Sequence, residues 1–194
     1  MKNELIMGVN VKDVLRPLDF GGKNFKNVAS HTREVLNHLH ELGASDKLLL
    51  AGLCHDLGKK KTMENVDGRI TYKNHEIVGA KYVRTLFKKY GVNDSCREFV
   101  EVLVRLHMRP FALLDSQVTD TAFMKLANDA GVYVFELIDL ACADCTDKNF
   151  KGNERAFHRV KKHMAELLFV KEGIGVNEFR AKYGLKYKYV ANLG

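Results

Sequence analysis

A chain of 194 residues, 46% hydrophobic and 28% charged, is long enough to bury a core without help from disulfides or metal. No apolar run approaches the roughly 18 residues that cross a bilayer. The opening "MKNELIMGVNVKDVL" lacks a signal peptide's apolar centre and cleavage site, so the expectation is a cytoplasmic protein without membrane association, its four cysteines held as thiols.

The net charge of +7 is unevenly placed: residues 57–90 hold nine Lys/Arg against three acids, and residues 151–194 ten against four. Such a field favours anionic partners, namely nucleotides, nucleic acid or phosphates.

In chain order the pattern reads as almost entirely helical. Val28, Val35, Leu39 and Leu42 recur at helical spacing between Lys23 and Leu42, and Gly43 is a stop. A second helix starts near Ser45, carries Leu48 to Cys54 and ends near Gly58. "VDGRITY" places Asp67-Gly68 before alternating residues and predicts a short hairpin near 64–73. Asn74 is expected to cap a helix of about four turns. "FVEVLVRLH" is apolar on nearly every side and predicts a central helix. Two further helices are expected at 120–130 and 132–145, broken at Gly131, and a long amphipathic one over 153–170. The tail "RAKYGLKYKYVANLG" is basic and aromatic with weak periodicity. No repeat or linker divides the chain, so 1–194 is expected to be one domain, with a core over about 25–150 and a helix and basic tail over 151–194.

The informative residues break apolar stripes. His31 shares a face with Val28 and Val35. His55 and Asp56 end the helix of Leu48–Leu53, inside "LCHDLGKKKT". His75 opens its helix four residues before Gly79. His107 follows Val100, Leu103 and Val104 at helical spacing, and Asp144 shares a face with Leu137, Leu140 and Ala141. A lone His-Asp pair means little, since 8 His and 12 Asp give roughly half of one such pair by chance. Any one of these histidines alone is more often a satisfied core group than a ligand. Six together are another matter, because an ionised carboxylate on a buried stripe costs several kcal/mol unless paired or bound to metal. The set is all nitrogen and oxygen, which suits Mn, Fe, Co, Ni, Zn or Mg rather than a thiolate site. Four ligands serve one ion, and two histidines with Asp56 as a bridge serve a second.

"SHTREVLNHL", "LLLAGLCHDLGKKKT", "DGRITYKNHEIVGAKYV", "LVRLHMRPF" and "FELIDLACADCTDK" resemble, in order, the successive motifs of HD-domain metal-dependent phosphohydrolases. The chain most resembles the HD domain attached to bacterial CCA-adding tRNA nucleotidyltransferases, over roughly residues 25–150. The resemblance implies a compact all-α fold and metal ligation by His31, His55, Asp56 and Asp144. It makes His75 and His107 the further histidines of a second metal position. His38, on the same helix face as His31, is the reserve ligand. Too few residues precede His31 to build a nucleotidyltransferase head, so CCA addition is not carried over, and the basic tail matches no motif of the family.

The implied chemistry is hydrolysis of a phosphate ester by a metal-activated hydroxide, with Asp56 bridging one or two divalent ions. Charge on the phosphoryl oxygens calls for cations, and Lys59 is the first candidate, followed by Arg109 with its planar fork. Glu76 is a candidate to orient His75.

"CADC" at 142–145 lacks the second cysteine pair of a zinc ribbon, and "GGK" at 21–23 lacks the rest of a phosphate loop. His158 and His163 are expected to be solvated. The Lys/Tyr alternation at 186–189 has the composition of a single-strand clamp, though an edge strand or a frayed terminus is the simpler reading.

The leading reading is a metal-dependent phosphohydrolase acting on nucleotides or RNA termini, such as 2′,3′-cyclic phosphates or 2′/3′-monophosphates. A second keeps the metal site and makes the substrate a free nucleoside mono- or triphosphate. A third, of another class, is a non-catalytic RNA-binding module using the basic surface; such a module has no need of all six ligands.

Overall fold

The protein was studied as a computed structural model that describes residues 5–21, 27–145, 150–185 and 193. A two-residue hairpin, β1 (Leu5–Ile6) and β2 (Val9–Asn10), leads into α1 (Val11–Leu15) and a 3-10 turn over Arg16–Leu18. Then come α2 (Val28–Glu41), α3 (Asp46–Cys54) and the one-turn α4 (Lys59–Thr62). The only other strands among the described residues, β3 (Glu64–Val66) and β4 (Arg69–Thr71), pair antiparallel with Val66 opposite Arg69. Asp67 and Gly68 both have positive φ, 50° and 79°, the tight two-residue turn that matches strand twist. α5 (His75–Tyr90), α6 (Asp94–Leu106), a 3-10 turn over Arg109–Leu114, α7 (Asp120–Ala130) and a 3-10 turn over Gly131–Tyr133 follow. The chain continues through α8 (Val134–Asp144), α9 (Phe150–Glu172) and α10 (Val176–Tyr183).

The fold is all-α with the short β3–β4 hairpin, as the sequence implied, and a second small hairpin, β1–β2, at its N-terminal side. None of its described helices is long and apolar enough to cross a membrane. The side chains of α3 are buried from Leu48 through Cys54, and those of α8 from Val134 to Ala143 except Glu136 and Asp139. Each fully buried Leu among them contributes about 1.5–3 kcal/mol of apolar transfer energy. α2 packs on α3 and α8, α3 on α6, and α6 lies along α5, so these helices surround one core.

Side-chain caps start three of these helices where the chain supplies Asn or Ser. Asn27 accepts from the Ser30 N–H, Ser45 from Leu48 and Asn93 from Cys96. Asn74 departs from the expected cap: its φ of 60° is left-handed and its side chain makes no capping bond. It redirects the chain from β4 into α5, which asparagine tolerates better than most residues. α6 also departs from expectation. It is strongly two-sided, with Phe99, Val100, Leu103 and Val104 buried while Glu98 and Arg105 face solvent.

The N-terminal hairpin and α10 had no counterpart in the periodicity. α3 ends at Cys54, short of Gly58, because His55 to Gly58 form a separate turn. Lys23, where the first long helix was expected to start, and the Lys/Tyr alternation at 186–189 lie outside the described residues.

Two glycines set the spacing of the core. A β-carbon on Gly58 would collide with the carbonyl oxygen of His75 and stand 2.7 Å from the Gly79 nitrogen. One on Gly79 would stand 3.2 Å from Val104 Cγ1. The turn after α3 therefore touches the first turn of α5 backbone to backbone, and α5 comes close to α6.

Candidate metal centre

Four helices and one turn deliver the polar side chains to a common point. His31 comes from the first turn of α2, His55 and Asp56 from the turn after α3, His75 from the start of α5, His107 from the residue after α6, and Asp144 from the end of α8. His55, Asp56, His75 and His107 are buried, while His31 and Asp144 are slightly more open. The geometry brings all six sequence-predicted ligand candidates together. His31 Nε2 lies 2.7 Å from Asp144 Oδ1 and 3.4 Å from His55 Nε2. His55 Nε2 is 3.2 Å from Asp56 Oδ2 and 3.4 Å from Asp144 Oδ1. On the other side, His75 Nε2 is 3.5 Å from Asp56 Oδ1 and 3.2 Å from His107 Nε2.

The backbone fixes which nitrogen each ring presents. His55 Nδ1 donates to the Gly52 carbonyl at 2.7 Å, His75 Nδ1 to Tyr72 at 2.8 Å and His107 Nδ1 to Val104 at 2.8 Å. The rings turn their Nε2 atoms inward, the arrangement that second-sphere carbonyls impose on metal-binding histidine. Glu76 Oε2 stands 3.5 Å from His75 Nδ1, so the Tyr72 carbonyl, not Glu76, makes the short orienting bond. His38, the reserve candidate, bonds through Nδ1 to the Ala143 carbonyl at 3.1 Å, beside Asp144.

Two groups of donors emerge, His31 with His55 and Asp144, and Asp56 with His75 and His107, the atoms of each lying within 4.8 Å of one another. Ligand bonds of about 2 Å place donors on one ion roughly 3 Å apart, so the residues present fit divalent metal. A further observation agrees. Asp56 Oδ1 is buried with no hydrogen-bond partner among the described residues, a costly state for a carboxylate oxygen.

The charges are strongly coupled. Burial opposes ionisation of Asp56 and Asp144, yet His55 leads the surroundings that hold both carboxyls below the usual carboxylate range. Burial also disfavours the charged His55 ring, but Asp56 and Asp144 outweigh it and pull its pKa up to about 10. His107 goes the other way: burial, then the neighbouring His55, pushes it down to about 4 and keeps its ring neutral.

Of the two cations proposed from sequence, Lys59 reaches the cluster, with Nζ 2.7 Å from Asp56 Oδ2 and 5.4 Å from the centre of the Tyr72 ring. Arg109 instead makes an ion pair with Asp129 at 2.5 Å, 20 residues along. His163 is not merely solvated, since its Nε2 lies 2.8 Å from Asp120 Oδ1.

Tyr72 was not singled out from the sequence. Its carbonyl orients His75, its ring lies under Lys59, and its hydroxyl is buried without a partner among the described residues. It sits in a stretch that reads as hairpin, and its one signal is a position three residues before His75.

The chain is similar in sequence to known proteins. The chain is 27% identical over 160 residues to the Multifunctional CCA protein of Polaromonas naphthalenivorans (strain CJ2), covering 78% of this chain and 36% of that protein. It is 32% identical over 77 residues to the Multifunctional CCA protein of Cupriavidus metallidurans, 40% of this chain and 18% of that one. A Neisseria meningitidis serogroup B protein of the same name is 31% identical over 78 residues, 40% of this chain and 18% of its own length. The matched part is thus about a third or less of these relatives' length. The HD domain family matches residues 28–147, most of the chain and all six residues of the cluster, and the protein belongs to that family.

Proposed function

We propose that the protein is a metal-dependent phosphohydrolase that cleaves phosphate esters of nucleotides or RNA termini. HD domains are typical of such enzymes, and the observation that carries the reading here is the placement of Asp56. Its Oδ2 faces the His31–His55–Asp144 group and its unpartnered Oδ1 faces His75 and His107, as a carboxylate shared by two cations would. His31, His55, Asp56 and Asp144 would hold one ion; Asp56, His75 and His107 would hold the other. Divalent ions there supply positive charge that polarises a phosphoryl oxygen and acidifies water.

The chain's own residues do the rest. The Gly52, Tyr72 and Val104 carbonyls keep three imidazoles in one tautomer and orientation. Lys59 stands beside Asp56, where its ammonium can meet charge developing on a phosphoryl oxygen. The net charge of +7 supports an anionic substrate such as a 2′,3′-cyclic phosphate or a 2′/3′-monophosphate.

The test is a substrate panel with Mn²⁺, Co²⁺ or Ni²⁺, comparing cyclic and terminal RNA phosphates with free mono- and triphosphates. Metal-stimulated turnover of the first class is expected. Faster turnover of free nucleotides would move the substrate to the second class, and salt-dependent RNA binding without any metal-stimulated hydrolysis would overturn the proposal.

A further inference from the structure

A groove of about 630 Å³ runs between the 3-10 turn Arg16–Leu18, α4 and α5, within the range of small-ligand sites. Leu57 and Leu86 are half-buried in it, Tyr82 stands exposed, and the exposed Lys60, Lys61 and Lys89 complete its edge. Among the described residues no carboxylate lines it. An apolar wall with an exposed aromatic ring, edged by cations alone, is complementary to a base stacked on a ring with its phosphates on ammonium groups.

The groove shares a chain segment with the candidate metal centre. Leu57 follows Asp56 directly, and Lys59, Lys60 and Lys61 share the single turn of α4, the first of them bonded to Asp56. We infer that this groove binds single-stranded nucleic acid, taking the nucleotide next to the one whose phosphate reaches the cluster. Placing the terminal phosphate at the cluster rests on the hydrolase reading, and it makes an oligonucleotide end, rather than a free mononucleotide, the substrate class. Tyr82 supplies the stacking face, and Lys60, Lys61 and Lys89 neutralise the backbone.

The experiment is fluorescence anisotropy with a labelled 12-residue oligouridylate, on the full chain in EDTA across a salt series. Wild type is expected to bind, with log affinity falling as log salt rises. Lys60→Glu with Lys61→Glu is expected to weaken binding at least tenfold and to flatten the salt slope by roughly 1.4, from about 0.7 per lost phosphate contact. Tyr82→Ala is expected to weaken binding about tenfold while leaving that slope alone.

Circular dichroism and metal content of the variants establish that they fold. Folded variants that bind like wild type, a wild type that does not bind, or competition by polyglutamate equal to that by RNA would each overturn the inference. Because binding is read without metal, its failure is separable from failure of the hydrolase reading. Hydrolysis with groove-independent binding sinks the groove alone, and groove-dependent binding without hydrolysis sinks the enzyme alone.

Discussion

His75 and His107 point their Nε2 atoms at each other across 3.2 Å, while each Nδ1 donates to a carbonyl of its own segment. In neutral rings that keep their proton at Nδ1, two lone pairs face across the gap. A cation relieves that opposition. His107→Ala is therefore expected to lower bound metal from two ions toward one, measured on purified protein by elemental analysis. Activity should fall at least ~100-fold, since even partners behind the ligands commonly cost 10–100-fold.

Asp56→Ala removes the carboxylate proposed to bridge the two donor groups. Loss of both ions and of turnover is expected, with helical content kept, as circular dichroism would show. A variant that keeps either full metal or full activity would remove Asp56 from its bridging place.

Lys59→Ala should reduce kcat by about 10²–10³-fold, the usual cost of losing one charge-stabilising group, with a smaller change in KM. Lys59→Arg should recover only part of it, because a planar fork does not replace a compact ammonium over the Tyr72 ring. A KM effect with kcat intact would reassign Lys59 to ground-state binding.

Tyr72→Phe separates stability from function. The lost hydroxyl is buried and unpartnered, so its removal should leave thermal stability unchanged or raised by up to ~1 kcal/mol. Activity should nevertheless fall if that hydroxyl meets the substrate. A destabilised but fully active Tyr72→Phe would show the hydroxyl to be structural.

In chelator-treated protein, stability should peak near the ordinary histidine pKa of about 6.5. His107, lowered to about 4, binds its proton more readily when unfolded. Its contribution is complete above 6.5 and is lost as pH falls toward 4. His55, raised to about 10, contributes fully below 6.5 and loses its contribution as pH rises toward 10. Urea denaturation at pH 4.5, 6.5 and 9 checks the shape, and a monotonic profile would contradict it.

The six clustered residues were legible because each interrupts an apolar stripe, and a polar group on a buried face has to be answered by something. Tyr72 gave no such signal, since a tyrosine at the end of a hairpin is ordinary. Asn74 looked like a side-chain cap because residue type alone does not show the sign of φ, and here the left-handed backbone does the turning. α10 was hidden because an eight-residue helix offers too few turns for periodicity to show. The partner of Arg109 lies 20 residues away on another helix, a pairing that spacing cannot reveal.

The contact between Gly58 and the start of α5 has a consequence for how this centre could have diversified. The separation of its two halves is fixed by main chain meeting main chain, with no side chain between to be trimmed or enlarged. A single methyl group at position 58 would therefore act as a spacer, pushing the start of α5, and His75 with it, away from the turn that carries Asp56. Whether such a scaffold holds a pair of ions or one would then turn on the smallest substitution the genetic code allows at a glycine.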